Sequence, residues 1–350
     1  MKNRIYIETL FCGWVFVFWA FVYPNHILFT EQLSLFLYSP DYWKQYALQP
    51  GGWAAYCGNF LAQFYINRWA GALIQTLLTV AMLATSREIL RKAGGKGGWL
   101  PAGILPALFL MALQGDDRFT PGDTLAFIAP YALMLCYMTI SNATVRRLAS
   151  TLAMIPLYLF AGAGPTFCLY AACILYELLF AKDRWKYCTP LWLLAALFLP
   201  RWWQSFYLMP ADGLYRLSFP PVEGIAYIPW LWLVFIPVCI VAVKVVARRP
   251  WFGTKLFSVV AFSVVLGCGC YLFQKSFNRL EEQTFAMHRA TAQSDWERVL
   301  KISGRVKTPD HHTAYFTNLA LSMQGELPQK IFHYLRISVL VSNNQKMLSS

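Results

Sequence analysis

The chain has 350 residues, of which 57% are hydrophobic, 17% aromatic and only 13% charged, and its net charge is +13. A soluble domain carries nearly twice that charged fraction, so too few charges exist here to give the apolar residues a hydrated shell. The composition therefore excludes a water-soluble globular protein and points to a polytopic membrane protein. The basic residues sit in short clusters between apolar runs, where topology signals belong, which argues against a nucleic-acid partner.

In chain order, Lys2 and Arg4 precede the apolar run "IYIETLFCGWVFVFWAFVY". It is too long for the core of a signal peptide and ends in "VYPNH" with no small-x-small cleavage site, so an uncleaved first helix is expected. A loop over 24–68 follows, rich in aromatics. Within it, "GGWAAYCGNFLAQFYINRW" carries Trp53, Tyr56, Phe60, Phe64 and Trp69 at three- to five-residue steps. That spacing predicts an amphipathic helix lying on the membrane surface.

Eight further apolar runs, near 69–86, 99–114, 124–141, 148–163, 166–181, 187–200, 228–246 and 255–273, bring the expected fold to an all-α bundle of about nine transmembrane helices over 1–273. "GAGP" alone joins the fifth and sixth helices, predicting a tight hairpin or a re-entrant pair. Between the third and fourth lies "LQGDDRFTPGD", with Asp116, Asp117 and Asp123. The connection near 201–227, rich in Pro and aromatics, predicts an ordered cap. From residue 274 the composition turns polar, and 274–350 reads as a separate helical tail. Its segments are "NRLEEQTFAMHRATAQ", "SDWERVLKISGRV", "TAYFTNLALSMQG" and "ELPQKIFHYL".

Counting Lys and Arg with the N-terminus inside puts fifteen in the inner segments and five in the outer loops before residue 274. The alternation never breaks, so the expected orientation is N-in and C-out. "GDDRFTPGD" then faces outward with Glu31 and Asp41, making the outer face acidic and the inner face basic.

Tyr315, Asn318, Leu319, Ala320, Leu321 and Gly325 resemble the first helix and turn of a tetratricopeptide repeat, over fewer than two repeats. On "PGGWAAYCGNFLAQFYINRWAGAL" and "DWERVLKI…NLALSMQGEL", the chain resembles a family of uncharacterised multi-pass proteins from Bacteroidota. This resemblance covers most of the chain, implies a bacterial inner-membrane location and brings no known reaction. A more distant similarity of layout links it to the C-type membrane glycosyltransferases, which use polyprenyl-phosphate sugars. It implies acidic residues in the first outer loop and in the loop between helices three and four.

On that resemblance Asp41, Asp116 and Asp117 are candidate catalytic residues and Arg118 and Arg201 candidate phosphate-binding residues. A lipid-linked sugar presents phosphate at the interface. A divalent metal would need oxygen ligands there, and an acceptor hydroxyl would need a base. No strict Asp-x-Asp occurs in the first loop. Each candidate also has a plain structural role open to it: a solvated turn for Asp116 and Asp117, helix capping for Asp41 and Asp123, and an interfacial anchor for Arg201-Trp202-Trp203. Of the acids inside apolar runs, only Glu8 and Glu177 qualify as intramembrane. Both lie near the inner end, where Glu177 reaches Lys182 or water, so coupled transport is not expected.

Nine cysteines form no CxxC pair, and the adjacent His311-His312 pair does not fit metal-ligand spacing. Two functions remain open. One is an envelope glycosyltransferase-like enzyme acting on a lipid-linked substrate. The other is a non-catalytic scaffold presenting a repeat-like platform to an envelope protein partner. In both the lipid bilayer is a partner.

Overall fold

The computed structural model describes residues 2–95, 97–207, 215, 219, 225–246, 255–306 and 310–330. Every regular element among them is helical. Helix α1 (Lys2–Val17) widens into a five-residue π turn, Phe18–Val22. The chain then bends by 74° into α2 (Pro24–Leu33). Pro24 explains the break: without an N–H it cannot continue a helix, but its fixed φ suits the first position of a new one.

The elements that follow are α3 (Pro40–Ala47), α4 (Gly52–Ala62), α5 (Arg68–Lys92), a 3-10 turn at Gly97–Ile104, α6 (Leu105–Leu113) and α7 (Pro121–Thr139). Next come α8 (Ala143–Ala161), α9 (Ala163–Phe180), a 3-10 turn at Arg184–Cys188, α10 (Leu191–Trp203), α11 (Ile228–Val246) and α12 (Lys255–Ser276). The tail contributes α13 (Arg279–Ala292), α14 (Trp296–Ser303) and α15 (His311–Met323).

Four helices among the described residues are long and apolar enough to cross a membrane: α5, α9, α11 and α12. The bent α1–α2 pair makes a fifth if it is one span. The expected nine are thus not all reproduced. The run at 99–114 is split, because Pro101 sits in the 3-10 turn and α6 keeps only nine residues. Helix α10 has 13 residues, about 20 Å at 1.5 Å per residue, against roughly 30 Å of hydrocarbon.

The main core forms where α7, α9 and α11 meet. Trp232 stacks on Phe127 at 4.3 Å and lies 6.0 Å from the ring of Tyr131, all three fully buried. Only 11% of the apolar window of α12 is buried, against 61% for α9, so α12 is peripheral and offers its apolar surface to lipid. Helices α8 and α9 meet at Gly162, whose φ of +83° suits glycine, and pack on each other as the expected hairpin.

Helix α4 packs one side into the bundle. Its small residues Ala54, Gly58 and Ala62 are buried. A Cβ on Gly58 would come within 2.1 Å of the Gly122 nitrogen, so α4 crosses α7 almost backbone to backbone. On its other side, Tyr56 packs against Trp43 of α3 (4.9 Å) and Phe36 (5.0 Å), and Trp53 Nε1 donates to the Ala47 carbonyl. The aromatic periodicity was legible, but the i, i+4 series of small residues on the opposite side decides where the helix goes.

The first three tail segments form α13, α14 and α15 as expected, each opened by a side-chain cap from Asn278, Asp295 or Asp310. They share a small core of Met287, Ala290, Val299 and Ala320. His311 and His312 lie in the first turn of α15, not in a loop. Most of the cap expected over 201–227 lies outside the described residues, as does everything after 330.

Candidate functional site

Three distant parts of the chain converge at the acidic end of the bundle: the α1–α2 bend, the α6–α7 turn and the α12–α13 joint. The construction begins with an unmet need. Helix α2 has no side-chain cap of its own, since Tyr23 occupies the N-cap position, so its first N–H groups require acceptors. Glu282 of α13 supplies them. Its Oε1 accepts from the Asn25 backbone N–H (2.9 Å) and from Asn25 Nδ2 (2.6 Å), and its Oε2 accepts from the His26 N–H (3.0 Å). A carboxylate at the positive end of a helix dipole is favourable, and here it comes from 257 residues away. The Tyr23 hydroxyl donates to the Asn278 carbonyl (3.3 Å), and Phe285 stacks on Phe29 at 4.1 Å.

The α6–α7 turn closes on the same place. A Cβ on Gly115 would sit 2.8 Å from the Phe277 ring and 3.1 Å from the Ser276 carbonyl oxygen, so glycine lets the turn pass. The His26 ring is fully enclosed here, stacked at an angle against Tyr23 and Trp19. Beyond Gly115, Asp116 accepts from Arg118 through its backbone N–H and guanidinium, each at 3.0 Å. Burial raises the Asp117 carboxyl above its ordinary range, and neighbouring Asp116 adds to the shift. Burial also raises Glu281, with Asp117 and Asp116 contributing. Glu282 is pushed up to about 7 by burial, against the opposing effect of its three N–H donors.

The sequence-derived candidates divide on this geometry. Asp116, Asp117 and Arg118 sit together and are joined by Glu281. Asp41 lies apart on α3, exposed and paired with Lys44 at 2.8 Å; Ser39, not Asp41, caps that helix. Asp123 belongs to a capping box in which Thr120 is the N-cap, and burial raises its carboxyl to about 6. Arg201 ends α10 in an exposed position. Beside it Trp203 is buried and donates to the Leu48 carbonyl (2.8 Å), while Trp202 stays exposed. Among the described residues no three His, Cys, Asp or Glu side chains are grouped to hold a metal ion. The divalent metal implied by the glycosyltransferase resemblance therefore has no fitting donor set among them.

Sequence reasoning missed Glu281, Glu282, Asn25 and His26. Asn278 followed by two glutamates is a legible helix start, but it gives no sign that Glu282 serves a second helix.

The opposite, basic end holds a second charged cluster. Glu177 is fully buried and accepts from both Arg146 and Arg147, and the Tyr137 hydroxyl donates to it at 2.8 Å. Arg147 also binds Asp183 (2.7 Å from Nη2), and this holds the Asp183 carboxyl below its ordinary range. Glu177 thus meets the two arginines of α8 rather than Lys182 or water. The α8–α9 hairpin at Gly162 brings them within reach, which a one-dimensional count of loop charge does not reveal.

Among the described residues every regular element is helical, and four or five helices are long and apolar enough to cross a membrane, the outline of a membrane protein. The chain belongs to a family of unknown function, DUF6057, which matches it over residues 2–341. No curated protein and no solved structure matches it.

Proposed function

We propose that the protein is a non-catalytic scaffold of the bacterial inner membrane, with its acidic end and tail outside, that holds a short TPR-like platform rigidly on a helical bundle for an envelope protein partner. The observation that carries this reading is the Glu282 clamp. A tail meant only to tether would not need its carboxylate on the N-terminus of α2, nor the ring contacts of Phe285 with Phe29 and of Phe277 with Phe18 beside it. Repeat-like helices recognise partners through surfaces whose geometry must be fixed, which a docked tail provides.

A second reading, an enzyme acting on a lipid-linked substrate, draws support from Asp117 and Glu281. Their shared negative field and burial raise both carboxyls, as suits a proton-transferring pair. Arg118 beside them would face substrate phosphate, while Asp41 and Arg201 would have to act from elsewhere.

One experiment separates the two. Full-length protein is cross-linked in intact cells as wild type, Glu282→Ala and Asp117→Asn, and the envelope glycans of each strain are profiled. The scaffold reading expects a defined cross-linked partner band that Glu282→Ala weakens and Asp117→Asn leaves intact, with glycans unchanged. Loss of a glycan species in Asp117→Asn cells at normal protein level would replace it with the enzyme reading. Protease added to spheroplasts tests sidedness: the tail should be cleaved, and a protected tail refutes the orientation.

A further inference from the structure

We propose that a cleft at the basic end of the bundle binds the phosphate headgroup of an anionic phospholipid. The cleft is about 400 Å³, lies between α8, the Arg184–Cys188 turn and α10, and has Arg147, Thr144, Trp185 and Trp192 in its lining. Arg147 is pre-set rather than mobile. Glu177 and Asp183 engage its Nε and Nη2 and one N–H of Nη1, so the guanidinium plane is fixed and a second Nη1 N–H is left over.

The charge around the cleft is unbalanced. Arg147 lines the cleft and Arg146 precedes it on α8, while Lys182, Arg184 and Lys186 flank the lining residue Trp185 in the chain. These five cations accompany only two carboxylates, Glu177 and Asp183, leaving three positive charges. Glu177 and Asp183 are taken by the arginines of α8, and Lys186 donates to the Ala181 carbonyl. Among the described residues Lys182 and Arg184 form no ion pair, and both are exposed. An anion is the complement such a rim lacks.

The aromatics and leucines say what kind of anion. Trp185 and Tyr187 on the turn are 71% and 70% exposed, an unfavourable state for such large rings in water but a favourable one at headgroup depth. Below the cleft the exposed side chains become apolar: Leu148 and Leu152 one turn apart on α8, Leu191 and Leu194 on α10. A soluble phosphate compound would have no use for that stripe, whereas a phospholipid lays its acyl chain along it. The side of the membrane does not enter the argument, because the cations lie at the end of the apolar stripe in either orientation.

The test is native mass spectrometry of the full chain released from nanodiscs of phosphatidylcholine containing phosphatidylglycerol. Wild type should retain phosphatidylglycerol in preference to phosphatidylcholine. Lys182→Gln with Arg184→Gln should lower that preference about fivefold for each cation removed. Trp185→Ala, which removes an exposed ring and nothing buried, should lower retention too. A charge-matched control in the tail, Arg298→Gln with Lys301→Gln, should leave retention unchanged. Equal retention of both lipids by wild type, unchanged retention in the Lys182/Arg184 variant, or equal loss in the tail control would overturn the site. Displacement of the lipid by millimolar glycerol phosphate would overturn the lipid as its occupant.

Discussion

Two largely buried carboxylates hold the two ends of this molecule together, and they do it with different chemistry. Glu177, at the basic end, is held by two guanidinium groups and a phenol. Glu282, at the acidic end, is held by the backbone N–H groups of Asn25 and His26 and the side-chain amide of Asn25. The first pairing joins α8 to α9, neighbours in the chain; the second joins α13 to α2, 257 residues apart. Full opposing charge makes Glu177 strongly bound and leaves cations stranded if it is lost. Glu282 relies on helix-end dipoles, so its removal leaves unmet N–H groups but no stranded charge.

The contrast is sharpest in Glu177→Gln. Arg146 would be left with a neutral partner in a buried site and Arg147 with Asp183 alone, a loss of about 3–5 kcal/mol. Thermal unfolding in detergent should show a large fall in midpoint, and an unchanged midpoint would remove the network from the account of stability. Gly58→Val probes the place where α4 meets the first turn of α7, beside the acidic end. Its Cβ would overlap the Gly122 backbone, which cannot swing away as a side chain can. A cost of about 3 kcal/mol is expected from overpacking, read by the same assay.

Glu282→Gln should cost less, about 1–2 kcal/mol, because one N–H donor of α2 would face the new amide N–H. The effect should show as faster proteolysis between the bundle and the tail. The pH dependence has a definite sign. Burial raises the folded carboxyl from its ordinary 4.5 to about 7. The folded state therefore holds the proton more tightly than the unfolded one. The contribution of this group is fully present below pH 4.5 and is lost as pH rises to about 7. Protection of the tail should therefore decline across that window in wild type and stay flat in Glu282→Gln; a rise with pH would contradict the assignment. Asp41→Asn is the smallest change. Its partner Lys44 is exposed on the same helix, and no measurable shift of the midpoint is expected.

Much of the helical order was legible because each signal acts locally. The change of composition at residue 274 announces the tail, Asp123 marks the start of α7 although Thr120 is its N-cap, and the short joint at Gly162 marks the hairpin. The number of membrane-length helices was less legible. Apolar runs record composition, while Pro101 in a 3-10 turn and the 13-residue α10 depend on how the chain is packed. At the candidate site, proximity in sequence disclosed Asp116, Asp117 and Arg118. Glu281 and Glu282 stayed hidden because their partners are set by tertiary contact, and a lone Asn–x–x–Glu–Glu start looks the same whether or not it caps a second helix.

The cap on α2 also sets an order of events during synthesis. Residues 25 and 26 leave the ribosome long before residue 282 exists, so the first turn of α2 must stay hydrated, or be sheltered by another protein, while the helices between are inserted. Only when α13 arrives can water leave that corner. Two segments 257 residues apart are thereby sewn together late, and any truncation upstream of Glu282 would leave the newly made bundle open at its acidic corner.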